Sequence, residues 1–141
     1  MIQAAVVDAS VAVKWVVPEN GSGRARSLAQ AKLAAPDLLF VECANILWKK
    51  VRMGHLTRRE AADCLRLLLD MPVAVVGSRE LLDSALRLSL ELDHSVYDCL
   101  YLALALQRRF PLVTADEKLA KAARKRRDLA ASVVLLSDLT D

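Results

Sequence analysis

Histidine is scarce in this chain. Only His55 and His94 occur among 141 residues, too few for a His-rich zinc site. Cysteine is little better represented. Cys43, Cys64 and Cys99 are odd in number, and no two are spaced as CxxC. Each falls in an apolar helical pattern, so all three read as buried small hydrophobes. No uncharged apolar run reaches the ~18 residues of a membrane span. The opening residues, MIQAAVVDAS, have no basic segment and meet Asp8 too early for a secretory signal. A soluble, cytoplasmic protein with no membrane partner is expected. Internal repeats, linkers and low-complexity stretches are also missing, which leaves one domain over residues 1–141.

What is present is apolar: 55% of residues are hydrophobic and 26% charged, enough for one well-filled core. The net charge of +3 points only mildly to an anionic partner. Its distribution says more. "EKLAKAARKRRD" (117–128) places Lys118, Lys121, Arg124, Lys125, Arg126 and Arg127 in one helix-length stretch. Such a cluster is either a solvated face or a phosphate-facing surface, with Lys118, Lys121 and Arg124 the candidate RNA contacts.

The hydrophobic periodicity predicts strands at 2–7, 32–36, 72–76, 111–114 and 132–136. Between them it predicts helices at 9–16, 24–31, 38–53, 57–70, 78–92, 95–109 and 116–127. Asp37 is the expected N-cap of the third helix and Gly54 its stop. Thr57 with Glu60 forms a capping box, and Ser95 with Asp98 a variant of one. "KLAAP" (32–36) is a poor strand by propensity, predicted from its place before a helix start. Five short strands alternating with helices imply an α/β fold: three layers, α/β/α, around a short parallel sheet. Sites in such folds form beyond the carboxyl ends of the strands.

Four carboxylates fall where that rule expects chemistry. Asp8 follows the first strand, and Asp116 lies just past the fourth. Glu42 sits in "LLFVECANIL" (38–47), a helix apolar almost all round and hence expected to be buried on most sides; Asn45 shares its face. Asp98 opens the apolar helix "CLYLALAL". Each has an ordinary alternative: Asp8, Asp98 and Asp116 as helix caps or first-turn charges, Glu42 as an edge salt bridge. If all four converge above one sheet edge, they repel by about 1 to 4 kcal/mol per pair at 4 Å, a sign that a divalent cation reverses. Hard oxygen donors without His or Cys suit Mg²⁺ or Mn²⁺, and those ions suit phosphate substrates.

The stretches "VVDASVAVKW", "APDLLFVECANILWK", "HSVYDCLYLALA" and "LVTADEKL", in this order over residues 6–119, resemble the PIN-domain ribonucleases, specifically the VapC toxins of bacterial toxin–antitoxin pairs. The resemblance spans essentially the whole chain. It implies a Mg²⁺- or Mn²⁺-dependent endoribonuclease with acidic ligands at Asp8, Glu42, Asp98 and Asp116. Ser10 and Thr114 assist the site, and Asn45 supports it from one turn after Glu42. It also implies a homodimer and a VapB-like antitoxin that inserts a basic side chain into the acidic pocket, with Trp15 and Trp48 candidates for its groove. Many relatives carry a further Asp or Asn just past the fourth acid. Here Glu117, Lys118, Leu119 and Ala120 stand there, which puts a firmly held second metal in doubt.

Two other readings compete. A receiver-type or dehalogenase-type phosphoryl-transfer domain also uses an Asp after the first strand. It lacks support, because position 10 is Ser, no acid adjoins Asp8, and Val76 ends the third strand. A catalytically inactive PIN-like module that binds RNA or protein is the alternative from a different class.

Overall fold

The central strands are made of residues too apolar to face water. In the computed structural model, which describes residues 2–140, β1 (Ala4–Val7), β2 (Lys32–Pro36), β3 (Val73–Val76), β4 (Leu112–Thr114) and β5 (Val133–Leu135) form one sheet, parallel throughout, in the order β3-β2-β1-β4-β5. Ala5, Val6, Val7, Leu112 and Val113 are wholly buried, as continuous apolar runs in a sheet covered on both faces must be. The expected α/β architecture and all five strands are present.

Eight helices connect and cover the strands: α1 (Ala9–Ala12), α2 (Ser22–Leu28), α3 (Leu38–Arg52), α4 (Arg58–Leu69), α5 (Leu82–Leu92), α6 (Val96–Arg108), α7 (Glu117–Arg124) and α8 (Arg127–Ala130). The central one, α6, packs on β1, β2 and β4 and contributes Cys99 to Ala105, all buried. β2 itself forms against its propensity because β1 and β3 pair with it on both sides while Leu33, Ala34 and Ala35 fill the core. Pro36, which has no N–H to give, closes the strand, and the Asp37 amide continues the ladder to the Val76 carbonyl at 2.8 Å.

Several local expectations need correction. Asp37 precedes α3 but does not cap it; its carboxylate accepts from the Ser78 amide at 3.1 Å and from the Ser78 hydroxyl, tying α3 to the far edge strand. The Ser78 segment begins as a 3-10 turn (Ser78–Leu81) before α5. Within α5, Ala85 and Leu88 are buried while Leu82 and Leu86, one turn apart, face outward. The basic stretch 117–127 is not one helix: it breaks after Arg124, where Arg126 takes extended backbone as the N-cap of α8. Cys43 and Cys99 are buried as expected, and burial pushes their thiols up to about 12 and about 11. Cys64 is only half-buried. No helix among the described residues is long and apolar enough to cross a membrane.

Candidate active site

The strand order changes direction between β1 and β4, and ligands bind at such switch points in open parallel sheets. Asp8 leaves β1 there, and Asp116 follows β4 beside it. Asp8 is 5% exposed and bonded on both oxygens. The Ser10 hydroxyl donates to Oδ1 and the Thr114 hydroxyl to Oδ2, each at 2.5 Å. The Val11 amide adds a cap bond to Oδ1 at 3.3 Å. The two hydroxyls are held in turn: Ser10 Oγ accepts from the Ala115 amide and Thr114 Oγ1 from the Asp116 amide, both at 2.9 Å. Thr114 therefore joins the two acidic corners of the switch point, and Asp8 is both the cap of α1 and the floor of a site. Burial is the main reason its pKa rises, to about 6; the hydroxyl and amide bonds pull the other way, and the Asp98 charge adds to the rise.

Glu42 comes from the first half of α3. Here the expectation of burial on most sides fails. Val41, Asn45, Trp48 and Lys49 on the same helix are exposed, and the Glu42 side chain is half-buried. Among its residues only Leu39, Cys43 and Leu47 are fully buried, with Leu38, Phe40 and Ile46 partly buried against the core. What compensates the carboxylate is Tyr101 of α6, whose hydroxyl donates to Oε1 at 2.5 Å. Burial still raises the Glu42 pKa, with a contribution from the charge of Asp98.

Asp98 stands at the third position of α6. Its amide donates to the Ser95 hydroxyl at 3.2 Å, but its carboxylate does not return to close a capping box. It turns instead to His94, with Nε2 2.7 Å from Oδ2. Asp116 caps α7, accepting from the Lys118 amide at 2.9 Å and the Leu119 amide at 3.4 Å.

All four acids line one open cleft of about 490 Å³, together with Ser10 and Asn45. The rest of the lining includes Leu38, Val41, Ile46, Tyr97 and a single cation, Lys49. Among the described residues no three Asp, Glu, His or Cys side chains are gathered around one point as a ready-made metal site. Each carboxylate is instead turned to a local donor: hydroxyls for Asp8, Tyr101 for Glu42, His94 for Asp98, amides for Asp116. The donor set is nonetheless all hard oxygen, mutually repelling and opposed by one lysine, which is the chemistry that suits Mg²⁺ or Mn²⁺.

Other candidates lie elsewhere. Lys118, Lys121 and Arg124 are exposed on α7 outside the cleft lining. Arg124 pairs with Asp138, and Arg126 with Glu91 and Asp128, so part of the basic cluster is spent on neighbours. Trp15 is no groove residue: it is 8% exposed, and its indole N–H donates to the Ala25 carbonyl at 2.8 Å. Trp48 is 53% exposed, with Arg52 over its ring. Sequence reasoning missed His94, Tyr101, Tyr97 and Lys49. Helical spacing carried a signal for two of them: Tyr101 lies three residues after Asp98 and Lys49 seven after Glu42, each on a shared face, whereas His94 precedes the Ser95 cap of α6.

Comparison with known proteins agrees with this architecture. The family model described as PIN domain matches residues 5–125. Ribonuclease VapC3 of Pyrobaculum aerophilum is 39% identical over 120 residues, which is 82% of this chain and 92% of that protein. The crystal structure of PAE2754 from the same organism superposes with a TM-score of 0.72 at 24% identity, over 95% of this chain and 84% of the other. A structure of VapBC2 from Rickettsia felis, bound to a DNA fragment from their promoter, gives a TM-score of 0.65 at 13% identity, over 94% and 98%. The matched span runs from β1 through α7 and so takes in all four acids of the cleft. By that span and by its likeness to VapC3, this chain belongs to the PIN-domain family, in its VapC branch.

Proposed function

We propose that this protein is a Mg²⁺- or Mn²⁺-dependent endoribonuclease and the toxin of a VapBC-like pair. The observation that carries the reading is the convergence of Asp8, Glu42, Asp98 and Asp116, from four separate elements, on one cleft at the switch point. The 39% identity to a protein named as a ribonuclease supports it. Asp8, Glu42, Asp98 and Asp116 would hold the cation, with Ser10, Thr114 and Asn45 supporting them. When bound, such an ion supplies Lewis acidity toward water and phosphate. The chain's own contribution is positional. Ser10 and Thr114 fix Asp8, Tyr101 fixes Glu42, and His94 fixes Asp98. Asp98 or Asp116 orients the attacking water or takes its proton, and cleavage leaves a 5′-phosphate and a 3′-hydroxyl.

A VapB-like antitoxin fits as the partner: a basic side chain entering the cleft would neutralise the same four acids. The exposed stripe Leu82, Leu86 and Leu90 on α5 supports a homodimer, since monomers rarely leave such a stripe uncovered. Lys118 and Lys121 remain candidate RNA contacts outside the cleft.

The test is Asp98→Asn, assayed for RNA cleavage with Mn²⁺ and for melting without metal. Lost cleavage with unchanged or raised stability is expected, because repulsion from Asp8 and Glu42 is relieved. If Asp98 is only a first-turn helix charge, cleavage survives and stability falls by up to ~1 kcal/mol. Cleavage that persists both in this variant and under chelation sinks the assignment.

A further inference from the structure

Two cleft residues are left without a structural task. Tyr97 is 63% exposed at the start of α6, a helix otherwise buried along much of its length. Its ring lines the cleft beside Asp98, it is not among the residues packed on the core, and its hydroxyl makes no hydrogen bond among the described residues. A chain with six aromatic residues keeps this one in water. On the α3 wall, Glu42, Asn45 and Lys49 follow one another along a single helical face. Lys49 is exposed and makes no ion pair among the described residues, whereas its neighbour Lys50 is bound to Glu19 at 2.8 Å. It is the one cation among the residues lining a cleft with four carboxylates.

Resting on the ribonuclease reading above, we propose that Tyr97 and Lys49 are the substrate-holding pair of this site: Tyr97 stacks an unpaired base, and Lys49 binds a backbone phosphate on the other side of the acids. An aromatic face takes any base that is free of its helix. A lysine serves phosphate as a flexible point charge. The apolar lining residues Leu38, Val41 and Ile46 suit sugar and base surface and offer a duplex nothing. On this reading the strand is single where it meets the site, because only an unpaired base can stack on Tyr97, and it crosses the acids from the α6 wall to the α3 wall.

Binding tests this apart from cleavage. Fluorescence anisotropy of a short fluorescein-labelled single-stranded RNA, with Mg²⁺, is measured on the Asp98→Asn protein, which keeps the complex from being cut. Adding Tyr97→Ala is expected to weaken binding about tenfold, the size of one lost base stack, and Tyr97→Trp to restore it. Adding Lys49→Gln is expected to weaken binding and to flatten the dependence of log affinity on log salt by about 0.7, one phosphate's share on a single strand. The same strand annealed to its complement should not displace the probe. Unchanged binding in both variants, competition by the duplex equal to that by the single strand, or no binding by the Asp98→Asn parent overturns the proposal. A wild-type protein that binds this probe through Tyr97 and Lys49 but cuts no RNA overturns the ribonuclease reading instead.

Discussion

The Tyr101 hydroxyl, on a side chain wholly buried in α6, donates to Glu42 of α3 at 2.5 Å. This bond spans two helices and sets where one of the four acids sits. Tyr101→Phe keeps the packing and removes only the donor. Stability should fall by about 1.5 kcal/mol, the low end for a bond to a charged group because Glu42 is half-buried. The Glu42 pKa should rise further, since the lost bond favoured the ionised form. RNA cleavage should drop by about 10- to 100-fold, as when the residue orienting a metal ligand is removed. Denaturant unfolding and cleavage rates at saturating Mn²⁺ check both effects.

Asp8 gives the metal-free protein an unusual pH dependence. Burial raises its pKa from 3.8 to about 6, so between those values the folded state binds more protons than the unfolded one. Stability from this group is complete below about pH 4 and is lost as pH rises through 6, by roughly 3 kcal/mol in all. Melting scans of protein in EDTA from pH 7 down to pH 5 should show rising stability. In Asp8→Asn that rise should flatten.

At Asp116, cap and charge can be separated. Its carboxylate accepts from two amides of α7, a task asparagine also performs. Asp116→Asn should leave stability within about 0.5 kcal/mol, and Asp116→Ala should lose about 1 kcal/mol. Both should abolish cleavage if the charge belongs to the site. Calorimetry beside the RNA assay reads the two roles independently.

Thr114→Val probes the bridge between the acidic corners. The hydroxyl is wholly buried, donates to Asp8 and accepts from the Asp116 amide. Removing it strands both partners and should cost about 1–3 kcal/mol. Thr114→Ser should restore most of the loss. Equal stability of the Val variant and wild type would mean that the bridge has no energetic weight.

Many of the local signals proved legible. The capping box of Thr57 and Glu60, the Ser95 and Asp116 caps and the Gly54 stop, at φ +80°, all stand where the residues put them, because a cap needs only atoms within a few positions of chain. The misreadings were of another kind. Apolar lettering around Glu42 suggested a buried helix, yet Trp48, Val41 and Met53 are exposed. Trp15 looked available to a partner and is core. A pattern records that a side chain is apolar, not which neighbour covers it.

The sequence alone determined the five strands, the parallel α/β architecture and the four acids, since periodicity, short-range capping and residue type are properties of the chain itself. Only the tertiary structure decided that Glu42 is held by Tyr101 and Asp98 by His94, that Thr114 bridges Asp8 to Asp116, and that Tyr97 and Lys49 face the cleft. The physical reason is that the Tyr101 bond and the facing of Tyr97 and Lys49 depend on how α3 and α6 pack, the Thr114 bridge depends on the pairing of β1 with β4, and the His94 contact depends on the turn that leads into α6.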